Sequence, residues 1–231
     1  MRTILSLTMV VILCVVGVAT AEDQVTKPIN GKDLGGWKLK GDREDASHWV
    51  IGKAQLNQDD ATKLVVEPAQ GEKAELINAE GHGVDIFTEE KFGDCVIELE
   101  LMVPKNSNSG IYLMGEYEIQ VLDSWGHEKL SQGDFGALYS YAEPKVNASK
   151  EPGAWQTVRI EFTAPKFEGD RKVKNAFVKE IRINGKVVQE NVELTQQTPG
   201  GLTGKECAEG PLMFQGDHGP VAFRNICIVR K

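Results

Sequence analysis

The sequence predicts an all-β sandwich, and three features carry that prediction. Beyond residue 21 there is almost no helical periodicity. Short β-prone runs recur between clusters of Gly, Asn, Asp and Pro. Several of those runs alternate apolar with polar residues, the period of a strand with one buried face. Helix is expected to be minor, a single turn over residues 30–34.

Residues 96–103 put Ile97, Leu99, Leu101 and Val103 on one face and Glu98 and Glu100 on the other. Residues 104–110 form the turn that follows, and a strand resumes over 111–114. Residues 117–122 make another strand. Residues 156–162 place Val158, Ile160 and Phe162 opposite Thr157, Arg159 and Glu161. Residues 181–188 read as a hairpin, because Asn184-Gly185 supplies the two positive φ angles of a type I′ turn. A last strand spans 221–229, with its phase left open by the pattern. Residues 164–174 and 195–210 are expected as exposed loops, the first rich in charge and the second in glycine.

The N-terminus has a different character. Arg2, an apolar run over 4–18 and Ala19-Thr20-Ala21 before Glu22-Asp23 make a secretory signal cleaved after Ala21. The run is short for a membrane span of ~20 residues. The bulky Leu13 before Cys14 does not suit lipid attachment. The signal is therefore residues 1–21, and residues 22–231 form one exported domain, periplasmic or extracellular, with no membrane association after cleavage. Such a domain is long enough to bury a core without disulfides.

Charge excludes some functions. The chain carries 26 Lys+Arg against 34 Asp+Glu, a formal net charge of −8, and has no basic run. It would repel a phosphate backbone, so nucleic acid is not an expected partner. Three cysteines follow the signal, Cys95, Cys207 and Cys227, which allows one bridge at most. Cys207 with Cys227 is the candidate pair. Their spacing fits no zinc pattern. There is no phosphate loop, no His-Glu-x-x-His helix and no Gly-x-Ser-x-Gly elbow.

Two stretches carry candidate chemistry. In residues 115–123, Glu118 and Gln120 share a face opposite Tyr117, Ile119 and Val121. The apolar set faces the core, so Glu118 and Gln120 are expected to project outward together. Strict alternation would send Asp123 into the core, where a carboxylate is costly. Either the strand ends before Asp123, or a bulge near Leu122 turns it onto the Glu118 face. Carboxylates and an amide on an open sheet face suit sugar chemistry, although a solvated polar face is the commoner reason for such a pattern. Glu98 and Glu100 would add negative charge only if their strand neighboured Glu118. In the second stretch, Gly216 and Gly219 flank Asp217-His218, an exposed pair suited to general-base work or to a local turn. His48, His82 and His127 have no such setting. Asn147-Ala148-Ser149 fits a glycosylation acceptor.

Taken together, these residues resemble the 3-keto-disaccharide hydrolase family. Asn108 to Leu113 and Tyr117 to Asp123 are similar to its central signature. Gly136 to Tyr139, Pro144, Asn147-Ala148, Pro152-Gly153 and Trp155-Gln156 match its middle. Gly210 to Leu212, Gln215 to Gly219 and Phe223 to Ile226 match its C-terminal end, and Asn30 to Leu34 with Trp37 its opening. The resemblance runs in order through nearly the whole mature chain. It implies a concanavalin-like jelly-roll sandwich of two antiparallel sheets and a carbohydrate substrate.

The resemblance also implies a cleft containing Glu118, Gln120, Asp123, Asn108, Asp217 and His218, with Tyr139 and Arg224 as further substrate-binding candidates. Glu118-x-Gln120-x-x-Asp123 is similar to the Glu-x-Asp-x-x-Glu strand of laminarinase-type glucanases. The amide at the middle position argues against their double displacement, which needs two well-placed carboxylates. The implied reaction starts from a ketone at sugar C3, which acidifies the hydrogen at C2. In the implied scheme His218 is the base, Asp217 orients it and Glu118 is the acid. Exchanging Glu118 and His218 fits the sequence equally well. Gln120, Asp123 and Asn108 would hold hydroxyls or a divalent ion. The alternatives are a non-catalytic carbohydrate-binding module of the same fold and a laminarinase-like glucanase.

Overall fold

In the computed structural model, residues 24–41 and 43–231 are described, so the expected signal lies outside the described residues. Sixteen strands follow in order among them. They are β1 (Val25–Thr26), β2 (Trp37–Leu39), β3 (Trp49–Leu56), β4 (Leu64–Glu67), β5 (Glu75–Asn78), β6 (Ile86–Phe92), β7 (Cys95–Met102) and β8 (Asn108–Leu113). The rest are β9 (Tyr117–Leu122), β10 (Gln156–Thr163), β11 (Lys166–Glu168), β12 (Arg171–Lys174), β13 (Ala176–Ile183), β14 (Lys186–Leu194), β15 (Gly210–Phe214) and β16 (Val221–Arg230).

Two antiparallel sheets stack as a jelly-roll sandwich. The larger runs β14-β13-β10-β7-β16-β5-β3-β4, with β1 added to β16; the smaller runs β2-β6-β15-β8-β9. Their inner faces meet through the alternating apolar residues. Ile97, Leu99 and Leu101 of β7 and Val158 and Ile160 of β10 come from one sheet, and Ile111 of β8 with Ile119 and Val121 of β9 from the other. Phe214 of β15 stacks on Phe223 of β16 with ring centroids 3.8 Å apart, joining the sheets at their centre. Each fully buried ring of this size contributes about 1.5–3 kcal/mol relative to exposure.

The Asn184-Gly185 turn forms as expected, with φ of 51° and 79° between β13 and β14. Several expectations are corrected. Residues 30–34 form no helix: the Asn30 Oδ1 accepts from the amides of Lys32 (2.8 Å) and Asp33 (3.0 Å), an Asx-type turn that competes with helical bonding. The one helical element among the described residues is a 3₁₀ turn at Glu44–Ala46. The charged stretch at 164–174 is not an open loop but contains the hairpin β11–β12. Strand β8 begins at Asn108, so residues 108–110 belong to the sheet. The phase of β16 was illegible because a register shift falls between Arg224 and Cys227, where Asn225 adopts φ 52°.

No disulfide joins Cys207 to Cys227. Cys207 is exposed and donates to the Glu209 carbonyl at 3.0 Å, while Cys227 is buried in β16. The glycosylation pattern is also spent on structure. The Asn147 amide nitrogen, the atom a glycan would need, donates to the carbonyls of Ser124 (2.7 Å) and His127 (3.1 Å).

Candidate functional site on the open face of the smaller sheet

Register decides which side chains meet on the face away from the core. Gly110 pairs with Gln120 and Tyr112 with Glu118 across β8 and β9; Met213 of β15 pairs with Tyr112 and, on its other side, with Phe87 of β6. Directly paired residues point the same way. Glu118, Gln120, Tyr112 and Asn108 therefore share the open face, as the alternation of β9 predicted for Glu118 and Gln120. They are not solvated, however. Glu118 is 3% exposed and Gln120 4%.

Three surrounding features bury them. Residues 134–142 run along the outer edge of β9, where Ala137 O accepts from the Gln120 amide at 2.9 Å and the Tyr139 amide donates to Glu118 O at 3.1 Å. Residues 198–204 cross above the sheet, and Thr198 Oγ1 accepts from the Glu118 amide at 2.8 Å. On a third side the 215–220 loop packs on the start of β8: Ser107 Oγ donates to Pro220 O at 2.5 Å, and a Cβ at Gly219 would stand 2.6 Å from the Asn108 nitrogen.

Glu118 is the electrostatic centre of this face. Burial pushes its carboxyl up from 4.5 to about 7. The Tyr112 hydroxyl and the charge of His218 pull it down, and the negative charges of Asp85 and Asp217 push it further up. A carboxyl with this value holds or releases a proton near neutrality, which is what acid–base catalysis requires. The same surroundings raise the Tyr112 hydroxyl far above its usual range, chiefly through burial and then through Glu118.

His218 and Asp217 stand beside it in the loop between β15 and β16. The His218 Nδ1 bonds Asp217 Oδ1, and both side chains are about half exposed. Opposite lies a pair that the sequence did not reveal. Asp85, just before β6, accepts from the Gly216 amide at 3.0 Å, which anchors the His218 loop. Its other oxygen accepts from Lys40 Nζ at 3.0 Å, and Lys40 also donates to Gly200 O at 2.8 Å. Lys40 and Asp85 are 45 positions apart, so no spacing signal links them. Tyr112 was within reach of alternation, had β8 been started at Asn108.

The other expected residues divide. Asn108 joins the face, its Oδ1 accepting from Gln120 Nε2 at 2.6 Å. Tyr139 lies along the β9 edge, half buried. For Asp123 the first of the two outcomes holds, since β9 ends at Leu122. Its carboxylate accepts from the amides of Asn106 (2.9 Å) and Trp125 (3.3 Å), closing the β8–β9 end. Arg224 does not enter the cleft. It lies on the outer face of the larger sheet, beside its register partner Glu100, with its guanidinium 3.9 Å from the Trp155 ring centroid. It donates to Glu100 Oε2 at 2.7 and 3.0 Å and pairs with Glu75 at 3.6 Å. Glu98 and Glu100 belong to that sheet too and do not neighbour Glu118.

Of the two ligands expected for Gln120, Asp123 and Asn108, sugar hydroxyls or a divalent ion, the ion does not fit their bonding. Asp123 is spent on backbone amides, and Asn108 and Gln120 bond each other. No group of three or more His, Cys, Asp or Glu side chains suited to a metal occurs among the described residues.

Comparison with known proteins agrees with this architecture. Residues 24–229 match the family described as the 3-keto-alpha-glucoside-1,2-lyase-like domain. A candidate glycosyl hydrolase of Parabacteroides distasonis is 27% identical with a TM-score of 0.67, over 90% of this chain and 84% of that one. Two further candidate glycosyl hydrolases of that organism share the fold. One is 18% identical with a TM-score of 0.60, over 90% of this chain and 94% of its own. The other is 20% identical with a TM-score of 0.58, over 90% of this chain and all of its own. No curated protein matches the chain.

Proposed function

The chain belongs to the 3-keto-alpha-glucoside-1,2-lyase-like family, and from that premise we propose that it is an exported enzyme cleaving 3-keto-glycosides by elimination and hydration. One observation carries the reading: a buried carboxyl held near neutrality, Glu118, sits within electrostatic reach of a carboxylate-oriented histidine, His218.

The arrangement favours one division of the two roles. Asp217 engages His218 Nδ1; the tautomer that donates from Nδ1 to this carboxylate carries its lone pair on Nε2, which makes His218 the base in the proposed reaction. Glu118, protonated over much of the neutral range, is the acid. His218 Nε2 takes the proton from C2, and the C2–H electron pair passes into the enolate on O3. The enolate re-forms the C3 ketone, a double bond forms between C1 and C2, and the C1–O bond to the leaving group breaks. That oxygen takes the proton of Glu118. Water then adds across the double bond, its hydroxyl to C1 and a proton to C2.

The first step also assists the second. Once His218 has gained a proton, its positive charge lowers the proton affinity of Glu118, and the acid becomes stronger as the leaving group departs. Lys40, held by Asp85 and the Gly200 carbonyl, supplies a cation for charge developing on O3.

The test is incubation of the mature chain with 3-keto-glucosides in D2O, watching aglycone release and deuterium at C2. Glu118→Gln and His218→Ala are expected to lose at least a hundredfold in kcat. Release from unmodified β-glucans instead would point to a glucanase, and binding without turnover to a carbohydrate-binding module; either result would overturn the assigned reaction.

A further inference from the structure

Glu116 is a buried acid that the reaction above does not use. It stands two residues before Glu118, in the tight connection from β8 to β9, and is 2% exposed. Met114 and Gly115 turn the chain there with φ of 56° and 72°. Every described bond of the Glu116 side chain goes to residues 203 and 204. Its Oε1 accepts from the Thr203 amide at 2.8 Å and the Thr203 hydroxyl at 2.7 Å, and its Oε2 accepts from the Gly204 amide at 3.0 Å.

The backbone at 115 and 116 grips the same segment. The Glu116 carbonyl accepts from the Thr198 amide at 3.0 Å, and the Gly115 carbonyl from the Leu202 amide at 2.7 Å. Gly201 comes so close that a Cβ there would stand 2.3 Å from Glu116 Oε2. Residues 198–204 are thus held by the backbone at 115 and 116 and, at their C-terminal end, by one carboxylate.

The middle of that segment lies on the catalytic face. A Cβ at Gly200 would stand 2.6 Å from the Tyr112 hydroxyl, which donates to Pro199 O at 3.5 Å. The Gly200 carbonyl binds Lys40, and Thr198 binds the Glu118 amide. Tyr112, beneath it, is 1% exposed.

We propose that Glu116 is a positioning residue that latches residues 198–204 over Tyr112 and Glu118 and so excludes water from the acid. The geometry of the latch is independent of any reaction; its catalytic consequence rests on the function proposed above. The charged and titratable groups facing Glu118 are Tyr112 from β8, Asp85 ahead of β6, and Asp217 and His218 from the 215–220 loop. The latch removes none of these groups; residues 198–204 touch them through Pro199, which accepts from Tyr112, and through Gly200, which accepts from the Lys40 paired with Asp85.

The experiment is a carbon-13 NMR titration of the glutamate carboxyls, with the Glu118 signal assigned through Glu118→Gln. It is run on the parent, Glu116→Ala, Glu116→Gln and Thr203→Ala. In Glu116→Ala the Glu118 midpoint is expected to fall by at least one pH unit, a tenfold change in proton affinity. Glu116→Gln should restore part of it, because the amide oxygen still accepts from Thr203. Thr203→Ala removes one of the three bonds to the Glu116 carboxylate, along with the hydroxyl's local bonds to Lys205, and should give a smaller fall in the same direction.

An unchanged Glu118 midpoint in folded Glu116→Ala and Thr203→Ala would overturn the latch, as would a parent Glu118 that titrates in the ordinary carboxyl range. Shifted midpoints in a protein that cleaves no 3-keto-glycoside would uphold the latch and sink the assigned reaction.

Discussion

Glu118 lies directly against Gly110 on the neighbouring strand: a Cβ at position 110 would stand 2.5 Å from Glu118 Oε1 and 3.0 Å from the edge of the Tyr112 ring. Position 110 has no positive φ, so its backbone would accept alanine. Space is what selects glycine there. Gly110→Ala is expected to displace the carboxyl while costing only about 1–3 kcal/mol of stability, the usual range for an overpacked site. Activity should fall about a hundredfold, the scale of a 1 Å misplacement. Steady-state kinetics beside a urea melt would separate the two effects.

Glu118 should cost stability where it is ionised. Its folded value, about 7, lies above the ordinary 4.5. Between those values the folded state binds more protons than the unfolded chain, so stability falls as pH rises through that window. The rise corresponds to roughly 3 kcal/mol against the carboxylate. Glu118→Gln should therefore be inactive yet more stable than the parent at pH 8, with the advantage disappearing near pH 4. Thermal melts at the two pH values check this.

Arg224 is expected to matter for folding rather than for substrate. Removing it takes the ion-pair partner from buried Glu100 and Glu75, with only the more distant charge of Lys53 still acting on Glu75, and breaking a buried pair from one side typically costs about 3–5 kcal/mol. Its guanidinium is itself about a third exposed, which brings the expectation nearer to 2 kcal/mol. Arg224→Ala should show that loss in a urea melt with KM unchanged. A raised KM at unchanged stability would return Arg224 to the site.

Asp134 marks where acid should first loosen the loop beside β9. Burial raises its carboxyl, but bonds from His127, Ser131 and Ser124 outweigh burial and hold it below the ordinary value. A lowered folded value gives stability that is present above the unfolded value and lost as pH falls through the folded one. Asp134→Asn should lower stability at pH 7 by about 1–3 kcal/mol, and the difference from the parent should shrink below pH 4. Hydrogen exchange of the Ser131 amide, which donates to Asp134 at 2.8 Å, would report it locally.

Alternation within a few residues was enough to find β7, β9 and β10, to place Asn184-Gly185 in its turn, and to put Glu118 and Gln120 on the face away from Ile119. These features depend on neighbours one to four positions away, where backbone geometry and side-chain period act. It failed where a single residue breaks the period, as at Asn225 in β16, or where side-chain bonds to the backbone replace a helical turn, as at Asn30.

The character of the site had a different origin. The carboxyl of Glu118 is raised towards neutrality because residues 134–142 and 198–204 seal a face that alternation alone would leave in water. Asp85, Asp217 and His218 act on that carboxyl only because the start of β6 and the β15–β16 loop converge across the sheet, with Lys40 bonded to Asp85 behind them. Arg224, a substrate-binding candidate by resemblance, lies on the other sheet beside Glu100 and is turned away from the cleft. Desolvation and charge proximity are sums over segments far apart in the chain. The residues that respond to them could be named from sequence, but their protonation states and partners arise only when those segments pack.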